Sequence, residues 1–217
     1  MVLQVALWKA RGPFDTFFNK FVSHITGGPY CHAETCFVFT KAKWKELLSS
    51  YDSGMGLVSK RAANLWQRMK NLLERVPDNV EVPLVFYSVW GSENNVRLLT
   101  SNDNFIFNRF YDEDYTKTIR INVKDDSEYR LALGYCLHEL HKPYDSIGAF
   151  CFWLPFHRQR DDGTYPSKYF CSEHVTYMLQ QIGLYKNIIP ESITPNDLDG
   201  ILEGSQNTSN VVSSGQS

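Results

Sequence analysis

Cys171, His32 and Glu34 are the residues whose types and settings suit nucleophilic acyl chemistry. Cys171 opens the run Cys171-Ser-Glu-His-Val175, and Val175, Met178, Leu179 and Ile182 follow at helical spacing until Gly183. A cysteine at the first position of a helix meets unpaired backbone amides and the positive end of the helix dipole, which favour a thiolate and can hold an oxyanion. The competing reading is a core cysteine packed beside Tyr169 and Phe170. His32 stands just after Gly27-Gly-Pro-Tyr30-Cys31 and starts a strand pattern that runs to Thr40. Glu34, two residues on, shares its face and could orient or charge-stabilise the ring. Taken alone, the pair reads first as a strand-end histidine bonded to backbone and a solvated glutamate.

Other chemistries find less support. Cys31, His32 and Cys36 cluster, with His24 upstream, but there is no matching second pair, and Cys31 and Cys36 point to opposite faces of a strand. No metal and no cofactor are expected. Twenty-two Lys and Arg against 24 Asp and Glu give a formal charge of −2, which removes the broad basic field that non-specific nucleic-acid binding needs. No glycine-rich phosphate loop or DNA-binding signature stands out.

The elements that must position these residues follow from periodicity and punctuation. Val2 to Trp8 reads as a buried strand, and Phe14, Phe17, Phe18, Phe21, Val22 and Ile25 recur as a helix that Gly27-Gly-Pro29 stops. The histidine-bearing strand comes next, then helical patterns from Lys41 to Leu73 broken by Asp52-Ser-Gly-Met-Gly56. Leu84 to Val89 and Lys117 to Val123 read as further strands, and the segment from Gly91 to Tyr115 carries no clear period. Asp125-Asp-Ser-Glu128 is a capping start for a helix through Leu140. The tail from Gly204, rich in Ser, Asn and Gly, predicts disorder over 204–217.

The N-terminus lacks the charge order and cleavage site of a signal peptide. The longest apolar run, Ile147 to Phe156, is about half the length a spanning helix requires. Five cysteines, an odd number without scaffold spacing, suit reduced thiols in a cytosol-like compartment. The aromatic stretch Phe150 to Phe156 would suit an acyl chain or a peripheral membrane contact, although such runs are more often core.

Five segments carry a family resemblance: Gly27-Gly-Pro-Tyr-Cys-His-Ala-Glu34, Tyr51-Asp-Ser-Gly-Met-Gly56, Pro143-Tyr-Asp-Ser-Ile-Gly148, Phe170-Cys-Ser-Glu-His-Val175 and Ile193-Thr-Pro-Asn-Asp-Leu198. In this order they resemble the circularly permuted branch of the NlpC-like papain-fold superfamily. That branch includes bacterial YiiX-like proteins, lecithin retinol acyltransferase relatives, and proteins of large DNA viruses and phages. Its histidine strand precedes its cysteine helix, as His32 precedes Cys171. The resemblance implies Cys171 as thiolate nucleophile, His32 as general base and then acid, and Glu34 as the third polar member. In relatives that third position comes from the next strand, or is a second histidine. Glu173 and His174 are rivals for supporting roles, and Tyr144, Tyr30 and Glu173 are candidates for substrate binding, the two tyrosines with core packing as the bland alternative.

The expectation is an α+β, permuted papain-like fold: a small antiparallel sheet packed on helices, one catalytic domain over 1–203 with a helical insertion near 41–75. Its expected activity is cysteine-dependent hydrolysis or acyl transfer on a peptide, amide or acyl-lipid substrate, in the host cytoplasm or the virion if the protein is viral. The alternatives are a lipid-directed acyltransferase or phospholipase, and a catalytically inactive scaffold or host-interaction protein of the same fold.

Overall fold

A computed structural model describes residues 2–11, 15–52, 70–89, 92–99, 104–151 and 167–213, with residues 64 and 67. The fold is mixed α and β around a five-stranded sheet in the order β4-β3-β2-β1-β5, in which every neighbouring pair is antiparallel. The strands are β1 (Val2–Lys9), β2 (Tyr30–Thr40), β3 (Glu81–Tyr87), β4 (Asn95–Leu98) and β5 (Thr116–Ile121). Leu3, Val5, Ala6, Leu7 and Trp8 are fully buried, so β1 is apolar on both faces and sits inside the sheet.

The helices are α1 (Phe17–Ile25), α2 (Lys41–Asp52), α3 (Asn104–Phe110), α4 (Asp126–His138), α5 (Ser146–Cys151), α6 (Cys171–Gln181) and α7 (Pro195–Ser213). Thr16 caps α1 by accepting the Asn19 N–H, and the Asp125 carboxylate caps α4 by accepting from Ser127 and Glu128. On one sheet face, Leu3, Val5, Leu7, Ala33 and Phe37 join residues of α4, α6 and α7 in the main core. Ala6, Trp8, Cys36 and Val85 form a smaller cluster on the other face with Phe110 of α3, whose ring meets Trp8 edge-on at 6.2 Å.

Three features lie outside the sequence pattern. The segment without clear period supplies β4 and α3. The excursion after β2 is closed by Lys41, a buried lysine that donates to the carbonyls of Glu74 and Val76 at 3.0 and 2.8 Å. And α7 continues to Ser213, past Gly204, where composition predicts disorder. Its start is fixed by a reciprocal cap, with Asp197 accepting from Thr194 and the Asp197 N–H donating to the Thr194 hydroxyl. Leu198 and Leu202 bury its inner face, and Lys117 of β5 pairs with Asp199 and Glu203, so each further turn propagates from a nucleus already formed. Residues 53–56, the aromatic stretch over 152–156 and residues 214–217 lie outside the described residues.

Candidate active site

β2 outruns its neighbour: pairing with β3 begins at Thr35, while β2 begins at Tyr30. The edge over residues 30–34 is therefore open to the start of α6. There the Cys171 thiol meets the Ala33 and Ser172 backbone N–H groups and hydrogen-bonds the His32 ring. Burial opposes a thiolate, but the imidazolium charge of His32, its hydrogen bond and the two amides together pull the Cys171 thiol below the usual cysteine range. The first turn of α6 is itself anchored by the Ser172 hydroxyl, which donates to the Ile193 carbonyl at 2.6 Å.

His32 is 4% exposed, and burial pulls its pKa down. The Cys171 charge and hydrogen bond, then Glu34, outweigh that and raise it to about 9. His32 Nε2 lies 3.2 Å from Glu34 Oε1, which leaves the other ring nitrogen to the thiol.

Glu34 is fully buried and ionised. Its desolvation is outweighed first by Arg97, whose Nη2 lies 2.6 and 2.7 Å from the two carboxylate oxygens, then by His32 and by the Trp8 indole N–H at 2.9 Å. With the lowered Cys171 thiol, His32, Glu34 and Arg97 form a line of alternating charge tendency, which is how these polar groups can share a largely buried site. Arg97 also lies over the Tyr87 ring at 4.6 Å.

Tyr144 reaches the site because residues 143–145 pair with Tyr169 immediately before α6. The Asp145 N–H donates to the Tyr169 carbonyl at 2.8 Å, and the Tyr169 N–H donates to the Pro143 carbonyl at 3.2 Å. Burial, then the charges of Cys171 and Asp145, hold the Tyr144 hydroxyl protonated.

A cavity of about 370 Å³ opens beside Cys171 and His32. Phe18 and Val22 of α1, Val89, Ala149, Phe170 and Pro195 supply its apolar wall, and Thr16, Asn19, Tyr144 and Thr194 its polar atoms. No Asp, Glu, Lys or Arg lines it among the described residues.

Of the expected residues, the structure brings Cys171, His32, Glu34 and Tyr144 together. Tyr30 faces another basin, beside Lys9 and Lys20, with Lys117 5.9 Å from its ring. Glu173 is buried, and its carboxylate accepts the Phe170 N–H at 3.2 Å, so it braces the start of α6 from behind. His174 lies between the rings of Tyr135 and Tyr169. Cys31 lines the same cavity as Cys171, but burial drives its thiol up, away from the thiolate. Among the described residues no group of three His, Cys, Asp or Glu side chains is placed to hold a metal ion.

Sequence reasoning missed Trp8 and Arg97. Trp8 lies opposite His32 in the β1–β2 register, and Arg97 belongs to β4, two strands from β2. Only strand pairing brings either to Glu34, and a lone Trp or Arg in the sequence carries no such signal. No family model, curated protein or solved structure matches this chain. Among the described residues, no helix is long and apolar enough to cross a membrane.

Proposed function

We propose that this protein is a cysteine-dependent hydrolase or acyltransferase of permuted papain-like order, with Cys171 as nucleophile and His32 as base and acid. The observation that carries this reading is the hydrogen-bonded Cys171–His32–Glu34 line at a helix start, with its thiol lowered and its imidazole raised. The Cys171 thiolate attacks the carbonyl carbon of an amide or ester. The oxyanion forms beside the backbone N–H of Cys171, on the side of the cleft that Tyr144 lines. As the tetrahedral intermediate collapses, His32 gives its proton to the departing amine or alcohol, and a thioester remains on Cys171. His32 then takes a proton from water or an acceptor alcohol, which attacks the thioester and returns the thiolate and imidazolium. Glu34, fixed by Arg97 and Trp8, holds the ring through both steps.

The cleft favours an acyl group without charge, since among the described residues no Asp, Glu, Lys or Arg lines it to receive one. A peptidase acting on uncharged residues and a lipid-directed acyltransferase both meet this condition. The test uses p-nitrophenyl esters of graded acyl length and uncharged peptide amides. The expected results are a burst equal to the enzyme concentration, a mass adduct on Cys171, and loss of both in Cys171→Ala. Failure to acylate Cys171, with iodoacetamide labelling it no faster than Cys31 at pH 6, would overturn the reading in favour of an inactive scaffold.

A further inference from the structure

Between Thr26 and His32 the chain turns through Gly27-Gly28-Pro29 and enters β2 at Tyr30, on the edge that β3 leaves open. A strand end paired with β1 along one edge alone leaves N–H and C=O groups unpaired along the other and frays more readily. This one carries the catalytic histidine two residues further on, so its looseness would pass directly to the imidazole.

The first turn of α7 supplies the missing neighbour. Asn196 Oδ1 accepts the Tyr30 N–H at 3.0 Å, and Asn196 Nδ2 donates to the Tyr30 carbonyl at 2.9 Å. The same Nδ2 donates to the Thr26 hydroxyl. A carboxamide presents one acceptor and two donors, and here both of its ends meet one residue's backbone, as the peptide groups of an adjoining strand would. The fit is close: a Cβ on Gly28 would lie 2.6 Å from the Asn196 Cγ, so glycine is required there by contact rather than by its φ angle. Asn196 is in turn held by the Thr194–Asp197 cap, and Ile193, which receives the Ser172 hydroxyl, lies in the same segment. One stretch, residues 193–197, therefore grips the histidine strand at Tyr30 and the cysteine helix at Ser172.

We infer that Asn196 is a positioning residue: its carboxamide replaces an absent strand at the open end of β2 and thereby sets the His32 ring against the Cys171 thiol. This rests on the reading of Cys171 and His32 as a thiolate–imidazolium pair. Along the open edge, Asn196 holds residue 30 and the thiol itself takes the N–H of residue 33, so His32 stands between two fixed points.

The experiment measures the rate of Cys171 alkylation by iodoacetamide against pH, located by mass spectrometry, together with Tm. The proteins are the wild type, Asn196→Ala, Gly28→Ala and a control, Leu198→Ala. Asn196→Ala deletes the carboxamide, and Gly28→Ala displaces it without removing it. Both should move the alkylation midpoint up by about one pH unit, a roughly tenfold lower rate at pH values below both midpoints. Leu198→Ala should lower Tm and leave the midpoint in place, because Leu198 is a buried core side chain with no polar atom to hold the Tyr30 backbone. Wild-type midpoints in Asn196→Ala and Gly28→Ala, whatever their Tm, overturn the inference. So does an equal midpoint shift in Leu198→Ala, since general destabilisation would then account for it. A wild-type protein with no low-pH alkylation of Cys171 overturns the thiolate reading itself, which separates the two failures.

Discussion

His32 and His174 are both nearly inaccessible, 4% and 3% exposed, yet His32 is raised to about 9 and His174 lowered to about 4. Burial pulls both down, so burial is not what separates them. His32 sits between two groups whose charge and hydrogen bonds raise it, the lowered Cys171 thiol and the Glu34 carboxylate. His174, one helical turn past Cys171, faces the rings of Tyr135 and Tyr169. The nearby Glu139 charge is opposed by that of Lys142, which lies 2.5 Å from Glu139. Its Nε2 finds no hydrogen-bond partner among the described residues. The difference teaches that a buried histidine is charged only where an anion is committed to it; where the nearby anion is already neutralised, desolvation wins.

The largest effect should come from deleting the ring that is charged. His32→Ala removes the cation that lowers the Cys171 thiol most and leaves desolvation opposed only by the Ala33 and Ser172 amides, so alkylation at pH 6 should fall at least about 100-fold. His174→Gln should leave the alkylation profile within about twofold of wild type. Equal losses from the two variants would break the comparison.

Next in size is the partner of the committed anion. Arg97→Met leaves the Glu34 carboxylate buried without its main counter-charge, and the stability measured by urea unfolding should drop by about 3 kcal/mol. Loss of under 1 kcal/mol would mean that Glu34 is not ionised in the fold.

The two rings should also separate by titration and by stability. In histidine NMR one resonance set should titrate near 9 and another stay neutral down to about 4. Because the folded His174 binds its proton less readily than the unfolded chain does, its contribution is complete above pH 6.5. It is lost as pH falls from 6.5 towards 4, about 3 kcal/mol in all. His32 has the opposite sign: its raised value gives stability that is full below 6.5 and lost as pH rises through about 9. The lowered Cys171 thiol has the other sign, adding stability as pH rises towards 9, the ordinary thiol value. His174→Gln should therefore flatten the acid limb of the stability curve and leave the limb above neutrality unchanged.

The smallest effect concerns the indole. Trp8→Phe keeps the packing against Phe110 but removes the N–H held by Glu34, which should cost about 1 kcal/mol and shift the alkylation midpoint by less than half a pH unit.

Local pattern carried far in this chain. Alternation put His32 and Glu34 on one face, and the Val175, Met178, Leu179 spacing put Cys171 at a helix start, because side-chain direction in a strand or helix depends on near neighbours alone. Asp125 and Gly183 marked helix ends for the same reason: caps act on groups within a few residues. β4 escaped because a four-residue edge strand is too short to display a period, and with it went Arg97. Tyr30 and Glu173 differ from their expected places through details no spacing encodes. Tyr30 enters β2 where the register shifts between Trp8 and Lys9, and the Glu173 carboxylate folds back onto the amide that precedes its own helix.

By itself the sequence determined the kinds of chemistry available: one cysteine at a helix start, one histidine and one carboxylate two apart on a strand, and no excess of positive charge. The tertiary structure decided which charges face which. Trp8, Arg97 and Asn196 meet the histidine strand from positions 26, 63 and 166 residues away from their partners in the chain. The physical reason is that electrostatic pairing depends on distance in space within a few ångströms, and distance in sequence says nothing about it until strands have chosen their neighbours and register.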